Sequence, residues 1–430
     1  MGSYNLRVRA RRHVTVVVLG DLGRSPRMLN HALALARHGF QVRLLGTGDS
    51  PIRDDVATHP LVRVERVNDL QRAPESASRW RFYAVTAARM LVLQVELFRR
   101  LLAGPRPEAI IVQTPPAVPL LASVFVAARL RRARAIVDWH NFGYAMLALR
   151  TGPGSALVRA ARAYERFFGQ RLDAHVCVSQ EMRHRLERDF GITGAAVLYD
   201  RPLSIEPQLP RDARPALAAR VLKANGIAYD PAMALVVAPT SWTADEDVWL
   251  LFETLKTWDA IAARQSLPRL LLLVTGRGPQ RGAFEQRMSA YRFAHAELRT
   301  AFFGPQEYHD VLRAADLGVC LHRSASGADL PMKMVDFAGA NLPACAYDYG
   351  PCLREQVEPG RTARLFTDGP ELARQMADLL AGFPHAAHLD RMRDAIAASR
   401  RETWFEAWTR AALSVGLLDD AVAASAAAHV

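Results

Sequence analysis

Val14–Leu19 is a continuous β-branched run of strand length that ends in Gly20-Asp-Leu-Gly23, after which Met28, Leu29, Ala32, Leu33 and Ala36 recur at helical spacing. The junction reads as strand, glycine turn, helix. Ser25 stands at the N-cap position, Pro26 fits the first helical position and Gly39 stops the helix. Continuous apolar strands that alternate with amphipathic helices belong to parallel sheets covered on both faces. The pattern continues through Gln41–Leu45, Ala109–Val112, Ala135–Val137, His175–Val178 and Ala195–Tyr199. It restarts at Leu235–Ala238 and repeats at Leu270–Val274, Ala301–Phe303, Leu317–Leu321 and Ala344–Tyr347. Two doubly wound α/β halves are implied, and 430 residues are more than one core of roughly 250–300 residues accommodates.

Between the halves, Asp200–Pro210 carries three prolines and reads as a linker. The expected division is a first domain over 1–204, a second over 205–385, and a segment 386–430. In that last segment a helix holding Trp404-Phe-Glu-Ala-Trp408 docks back on the first domain, and Ala421–Val430 frays.

Charge divides unevenly. Residues 1–200 hold 30 Lys+Arg against 16 Asp+Glu, and residues 201–430 hold 25 against 27. The basic first half points to phosphates, nucleic acid or an anionic membrane. No aromatic-basic platform of the kind single strands need is present, which disfavours nucleic acid. Only Lys223, Lys256 and Lys333 are lysines, so the arginine excess also reflects a GC-biased genome. Cys177, Cys320, Cys345 and Cys352 sit in apolar stretches without paired spacing, which argues against zinc or a disulfide framework and fits a reducing, cytoplasmic setting. Ala109–Ala128 is apolar, but Pro115, Pro116 and Pro119 exclude it as a transmembrane helix. Ser78–Leu102 is an apolar helix flanked by arginines and aromatics. It is expected to pack on the sheet, and a partly exposed face would suit a membrane interface.

Several turns carry candidate chemistry. In Gly20–Arg27, open amides, a helix N-terminus and two cations suit a phosphate; a plain turn with solvated arginines is the alternative. Ala135-Ile-Val-Asp-Trp-His140 ends a strand in an acid, an indole and an imidazole, where ligands of open α/β sheets bind. Asp138 is placed to act as general base and His140 to tune or replace it; a buried Asp-His pair is the competing reading. Asp245-Glu-Asp247 resembles a metal-binding DxD, yet acids in a first helical turn, with Thr243 as cap, explain it without metal. Gly276-Arg277-Gly278 sets a cation where backbone approaches a ligand closely. In Ser324–Asp336, small residues expose amides to a diphosphate, Lys333 neutralises a leaving phosphate, and Asp336 accepts ribose hydroxyls.

Gly20–Met28, Asp138–Tyr144, Tyr164–Phe168, Thr240–Asp247, Thr275–Pro279 and Asp316 through Asp336, taken in order, resemble the chitobiosyldiphosphodolichol β-mannosyltransferase family of asparagine-linked glycosylation. The resemblance runs from about residue 13 to about residue 380. It implies a GT-B fold, two Rossmann-like domains facing a central cleft, with acceptor on the first and sugar nucleotide on the second. It also implies an inverting transfer of mannose from GDP-mannose to a lipid-diphosphate-linked sugar, with no obligatory metal or other cofactor. Asp138 is then the first choice for the base, His140 the second and Asp21 the third. Thr243, Arg277, Lys333 and the amides near Ser326 and Gly327 hold the donor diphosphate, with Asp336 at the ribose. Gly23, Arg24 and Arg27 meet the acceptor diphosphate.

Eukaryotic members of that family carry an N-terminal anchor, whereas this chain begins its first strand by about residue 13. Together with the arginine-rich composition this implies a bacterial relative, peripheral on the inner face of the plasma membrane, acting on an undecaprenyl-diphosphate oligosaccharide. Transfer of glucose or glucuronic acid from UDP, and a GT-B-fold nucleotide-sugar epimerase, are the alternatives.

Overall fold

The computed structural model describes residues 12–67, 79–203, 205–243, 245–399 and 402–419. They form two compact units. Residues up to Tyr199, with those from Phe405 onward, make the first, and Asp200–Trp404 make the second.

The first unit holds a seven-stranded sheet: β1 (His13–Asp21), β2 (Gln41–Thr47), β3 (Val62–Arg66), β4 (Ala109–Thr114), β5 (Arg134–Trp139), β6 (Ala174–Cys177) and β7 (Ala196–Val197). Their spatial order is β3-β2-β1-β4-β5-β6-β7, and every neighbouring pair is parallel. The second unit holds β8 (Ala234–Pro239), β9 (Leu270–Thr275), β10 (Ala296–Ala301), β11 (Leu317–Cys320), β12 (Ala344–Tyr347) and β13 (Ala363–Phe366) in the order β10-β9-β8-β11-β12-β13, again all parallel. In both sheets the winding reverses beside the first strand, between β1 and β4 and between β8 and β11. Carboxyl ends of strands at such a reversal are where open α/β sheets bind ligands.

The apolar strand runs are explained by burial on two faces. Along β8, Ala234, Val236 and Ala238 enter one core cluster of the second unit while Leu235 and Val237 enter the other; Leu270, Leu272 and Val274 of β9 alternate with Leu271 and Leu273 in the same way. Edge strands lack that demand. Accordingly β3 and β13, both at sheet edges, escape the sequence reading, and β10 occupies Ala296–Ala301 rather than the expected Ala301–Phe303. Each of these edge strands mixes polar and apolar residues instead of running continuously apolar.

The chain crosses between units at Tyr199/Asp200, five residues before the expected 204/205 boundary. Within the C-terminal segment 386–430, helix Ala387–Ser399 belongs to the second unit. Its Leu389 and Met392 join a core there, and its buried Arg393 donates to the carbonyls of Asn341, Ala315 and Asp316. Helix Trp404–Ser414 supplies the return, with Phe405 under the Arg37 guanidinium and the Val415 carbonyl accepting from Arg134 at 2.6 Å. The tail Ala421–Val430 lies outside the described residues. Among those described, no helix is long and apolar enough to cross a membrane.

Candidate active site

In the first unit the turn after β1 is organised by Asp21. Its Oδ1 accepts the Gly23 amide at 3.1 Å and its Oδ2 the Ser50 hydroxyl at 2.6 Å. A side chain at Gly23 would strike the Pro51 carbonyl at 2.4 Å, so only glycine fits there. The Gly23 amide and the Asp21 carboxylate are therefore engaged inside the loop rather than open to an acceptor or its proton. Helix Pro26–Arg37 follows with Ser25 at its N-cap, although the Ser25 hydroxyl donates back to the Asp21 carbonyl instead of capping.

Arg24 and Arg27 separate. Arg24 is exposed, 3.9 Å from Asp21, and remains a candidate for an acceptor diphosphate. Arg27 is buried, 2% exposed, and forks onto Asp138 at the end of β5, with Nε to Oδ2 at 2.7 Å and Nη2 to Oδ1 at 2.9 Å. Its Nη1 donates to the Leu198 carbonyl. The cation expected to meet a substrate phosphate instead neutralises the carboxylate expected to be the base.

Asp138 is fully buried and also accepts from His31 Nε2 at 3.0 Å and His140 Nε2 at 2.9 Å. Burial alone would raise its carboxyl; Arg27 and His140 reverse that and hold it well below the usual range. So low a carboxyl, walled off from solvent, is a poor proton acceptor. The buried Asp-His pair that the sequence also allowed is present here, with Arg27 and His31 added to it. The partly exposed imidazole of His140 lies between it and solvent.

His31 adds a constraint that sequence reading missed. The Trp408 indole N–H donates to its Nδ1 at 2.8 Å, so the single proton of the neutral ring sits on Nε2 and points at Asp138. Burial lowers the His31 pKa, although Asp138 pulls it the other way. A signal was available: Arg27 and His31, one helical turn apart, are polar on a face otherwise built of Met28, Leu29, Ala32 and Leu35.

Glu165 was passed over too. On helix Ala156–Gly169 it is buried, and its Oε1 accepts the Tyr144 amide at 2.7 Å, at the start of the otherwise uncapped helix Gly143–Thr151. Its Oε2 has no hydrogen-bond partner among the described residues. Burial pushes this carboxyl up to about 8 despite the amide bonds from Tyr144 and Gly143.

In the second unit the loops after β8, β9 and β11 form a second cluster. Glu246, 1% exposed, accepts the Thr240 hydroxyl at 2.6 Å and the Ser241 amide at 2.6 Å on Oε2, while Oε1 meets the Lys333 ammonium. The acidic triplet therefore lies in a loop ahead of helix Trp249–Ala262 and not in its first turn. Thr243 is no cap; its hydroxyl meets Ser241 Oγ at 2.7 Å. Asp247 pairs with Arg323 at 3.3 Å. Among the described residues no group of three or more His, Cys, Asp or Glu is arranged to hold a metal ion.

The glycines of the Gly276-Arg277-Gly278 turn are dictated by this loop. A side chain at Gly276 would come within 1.9 Å of the Thr240 carbonyl, and one at Gly278 within 2.0 Å of the Ser241 carbonyl. Trp242, buried with φ 55, turns the chain in the left-handed region at the same place. Arg277 itself is exposed and stacks 3.7 Å from the Phe302 ring centroid.

After β11, Asp329 gathers His322 Nε2 at 2.9 Å and the hydroxyls of Ser324 and Ser326. The Gly327 amide donates to Ser324 Oγ at 2.7 Å and the Ala328 amide to Ser326 Oγ at 3.2 Å. The amides expected to hold a diphosphate are thus used to shape the loop, and Ser326 is 9% exposed. The loop delivers Lys333 and Asp336 on helix Met332–Gly339. Burial pushes the Lys333 ammonium down to about 8, with Asp245 and Asp336 opposing. Burial pushes the Asp336 carboxyl up to about 7, and its Oδ2 accepts from the Tyr308 hydroxyl at 3.2 Å.

Residues 23–199 match the Glycosyl transferase 4-like domain family. The chain is 34% identical to the chitobiosyldiphosphodolichol beta-mannosyltransferase of Homo sapiens over 95% of its own length and 93% of that protein's. The chain belongs to this family of glycosyltransferases. It is also 36% identical, over 86% of its length and 89% of the relative's, to the Arabidopsis thaliana protein named UDP-glycosyltransferase TURAN. Among solved structures it is similar to Anabaena HepE in complex with UDP and glucose, at TM-score 0.66 and 14% identity over 95% of this chain and 100% of that one. WaaG, a glycosyltransferase involved in lipopolysaccharide biosynthesis, gives TM-score 0.61 at 14% identity over 94% of this chain and 100% of that one. The fold of this glycosyltransferase is therefore GT-B.

Proposed function

We propose that the enzyme moves mannose from GDP-mannose to a sugar carried on a polyprenyl diphosphate, with inversion to a β-mannoside. The observation that carries this reading is the Asp138–His140 dyad at the end of β5. Asp138, held ionised by Arg27, accepts the Nε2 proton of His140, which leaves Nδ1 to take the proton of the acceptor hydroxyl. His140 is then the base, Asp138 the group that orients it and stabilises the imidazolium, and Asp21 a loop organiser. As the acceptor oxygen bonds to the anomeric carbon, the bond to the diphosphate breaks and GDP leaves. Lys333, set by Glu246, and the exposed Arg277 offset the charge that develops on it. The ribose falls to Asp336, and Thr243 lies in the loop after β8 that carries Glu246.

No obligatory metal enters this reading, because Glu246 and Asp247 of the acidic triplet are already paired with Lys333 and Arg323. The acceptor diphosphate falls to Arg24, with the basic first unit drawn to an anionic membrane on the cytoplasmic side. Relatives named for chitobiosyldiphosphodolichol and β-mannosyl transfer support mannose as the sugar moved and a lipid-diphosphate-linked acceptor.

A second donor reading, a UDP-sugar, is favoured by the name of the TURAN relative and by the HepE complexes with UDP. Incubation with GDP-mannose and a polyprenyl-diphosphate-linked sugar, followed by NMR of the anomeric coupling, tests the first. A β-mannoside is expected; an α product overturns inversion, and transfer from UDP-sugars alone moves the assignment to the second reading.

A further inference from the structure

Helices Gly143–Thr151 and Ala156–Gly169 form a hairpin that opens three residues after His140. One side packs inward through Ala145, Val158, Glu165 and Gly169. The other carries large apolar side chains in solvent: Leu149 is 61% exposed, Leu157 63% and Phe167 49%. Among the described residues of the first unit nothing covers them, and leaving such residues wet gives up the free energy their burial would supply.

The charge around them is one-sided. Between Gly143 and Gly169 stand Arg150, Arg159, Arg162 and Arg166, against a single acid, Glu165, which is buried and faces the backbone. Arg162 meets Asp189 at 3.7 Å from outside the hairpin. Arg159, Arg162, Arg166 and Phe167 line one shallow groove. Exposed leucines beside exposed arginines match a bilayer with anionic headgroups, where the side chains enter the acyl boundary and the guanidinium groups stay at the phosphates. Helix Arg79–Leu102 also exposes Leu91, Val92 and Val95, but its Arg99 and Arg100 are held by Glu96.

We propose that the hairpin Gly143–Gly169 docks on anionic phospholipid, seating Leu149 and Leu157 in the bilayer and Arg150, Arg159 and Arg166 against lipid phosphates. The proposal deepens the lipid-linked-acceptor reading and rests on it for its purpose. Glu165 ties the two helices together at the root of the hairpin through the Tyr144 amide, four residues after His140, so docking fixes the depth at which the base meets a membrane-borne acceptor.

The test is co-sedimentation of the full chain with vesicles of phosphatidylcholine alone and of phosphatidylcholine with phosphatidylglycerol, for the wild type, Leu149→Glu/Leu157→Glu and Arg159→Gln/Arg166→Gln. Binding is expected only to the anionic vesicles. The leucine pair should lose at least tenfold in partitioning. The arginine pair should lose about fivefold per residue, and the binding should fall as salt rises. All three proteins should keep the wild-type thermal transition and the same transfer to a short-chain, water-soluble acceptor. Variants that sediment like the wild type, or equal binding to both vesicles, overturn the proposal. A change of oligomeric state on mutation without loss of vesicle binding overturns it as well, by making the face a protein interface. The sedimentation result stands apart from the glycosyl-transfer reading: absent transfer with intact, hairpin-dependent vesicle binding faults that reading alone.

Discussion

Replacing Glu165 by Gln isolates the proton that burial keeps on this side chain. In the folded chain the carboxyl titrates near 8, against an ordinary value of 4.5, because removal from water disfavours the anion more than the amides of Tyr144 and Gly143 favour it. The raised value fixes the sign. The folded state retains a proton that the unfolded state has released, so the stability this group contributes is complete below about 4.5 and is lost as pH rises toward 8. With about 1.36 kcal/mol per pH unit of differential binding, the wild type should lose on the order of 3.5 kcal/mol between pH 5 and pH 8 through this residue. Gln cannot ionise. Its amide nitrogen meets the same partnerless surroundings as Oε2, which adds a roughly pH-independent penalty of about 1–3 kcal/mol. The readout is therefore a slope and not a level. Urea unfolding at several pH values from 5 to 8, followed through a probe in the first unit, should show the wild type about 1–3 kcal/mol above the variant near pH 5 and crossing below it by pH 8. Parallel curves would refute the reasoning, since they would mean that Glu165 is already ionised at pH 5 and that a cation or donor holds it.

Asp138→Asn should cost about 3–5 kcal/mol, because Arg27 is left buried without its counter-charge; urea unfolding should also show an Arg27→Leu/Asp138→Leu double variant less destabilised than either single one. His140→Ala, at a partly exposed position, should lower kcat by about 10²–10⁴ while thermal stability and GDP affinity stay at wild-type values; a near-normal turnover removes His140 as base. Calorimetric titration with GDP should show affinity falling as pH rises above about 8, by roughly tenfold per unit, as Lys333 loses its proton. Lys333→Ala should bind more weakly with that limb gone, and a flat wild-type profile refutes the role. Trp408→Phe removes the donor that reserves His31 Nδ1, so the imidazole tautomer seen by ¹⁵N NMR should change; an unchanged His31 spectrum places the constraint elsewhere.

The central strands were legible because burial on both faces leaves a signature inside one short window of sequence, as in Leu270–Val274. The edge strands β3, β10 and β13 were not, since a strand with one neighbour tolerates polar residues and so resembles a loop. The site followed the same rule. The polar and glycine-rich turns at strand ends could be read from the sequence, and those after β1, β8 and β11 flank the reversals of the two sheets. What each charged residue does there could not, because it depends on a partner distant in sequence. Arg27 finds Asp138 over 111 positions and His31 finds Trp408 over 377. Sequence alone treats each such residue as if it faced water.

That difference is what the proposed choice of base rests on. An acid and a histidine at the end of a strand allow two orders of action, and their spacing cannot rank them. Three cationic or N–H donors converge on Asp138, from Arg27, His31 and His140, and only His140 also reaches solvent. A carboxylate so heavily stabilised as an anion is weak at accepting a proton but well suited to aligning a neighbour that does. The Trp408 indole strengthens this arrangement. By keeping His31 Nδ1 as an acceptor it bars a second positive charge on that ring beside Arg27, which would otherwise draw the Asp138 field away from His140. The C-terminal helix that carries Trp408 therefore belongs to the electrostatics around Asp138 as well as to the packing of the first unit.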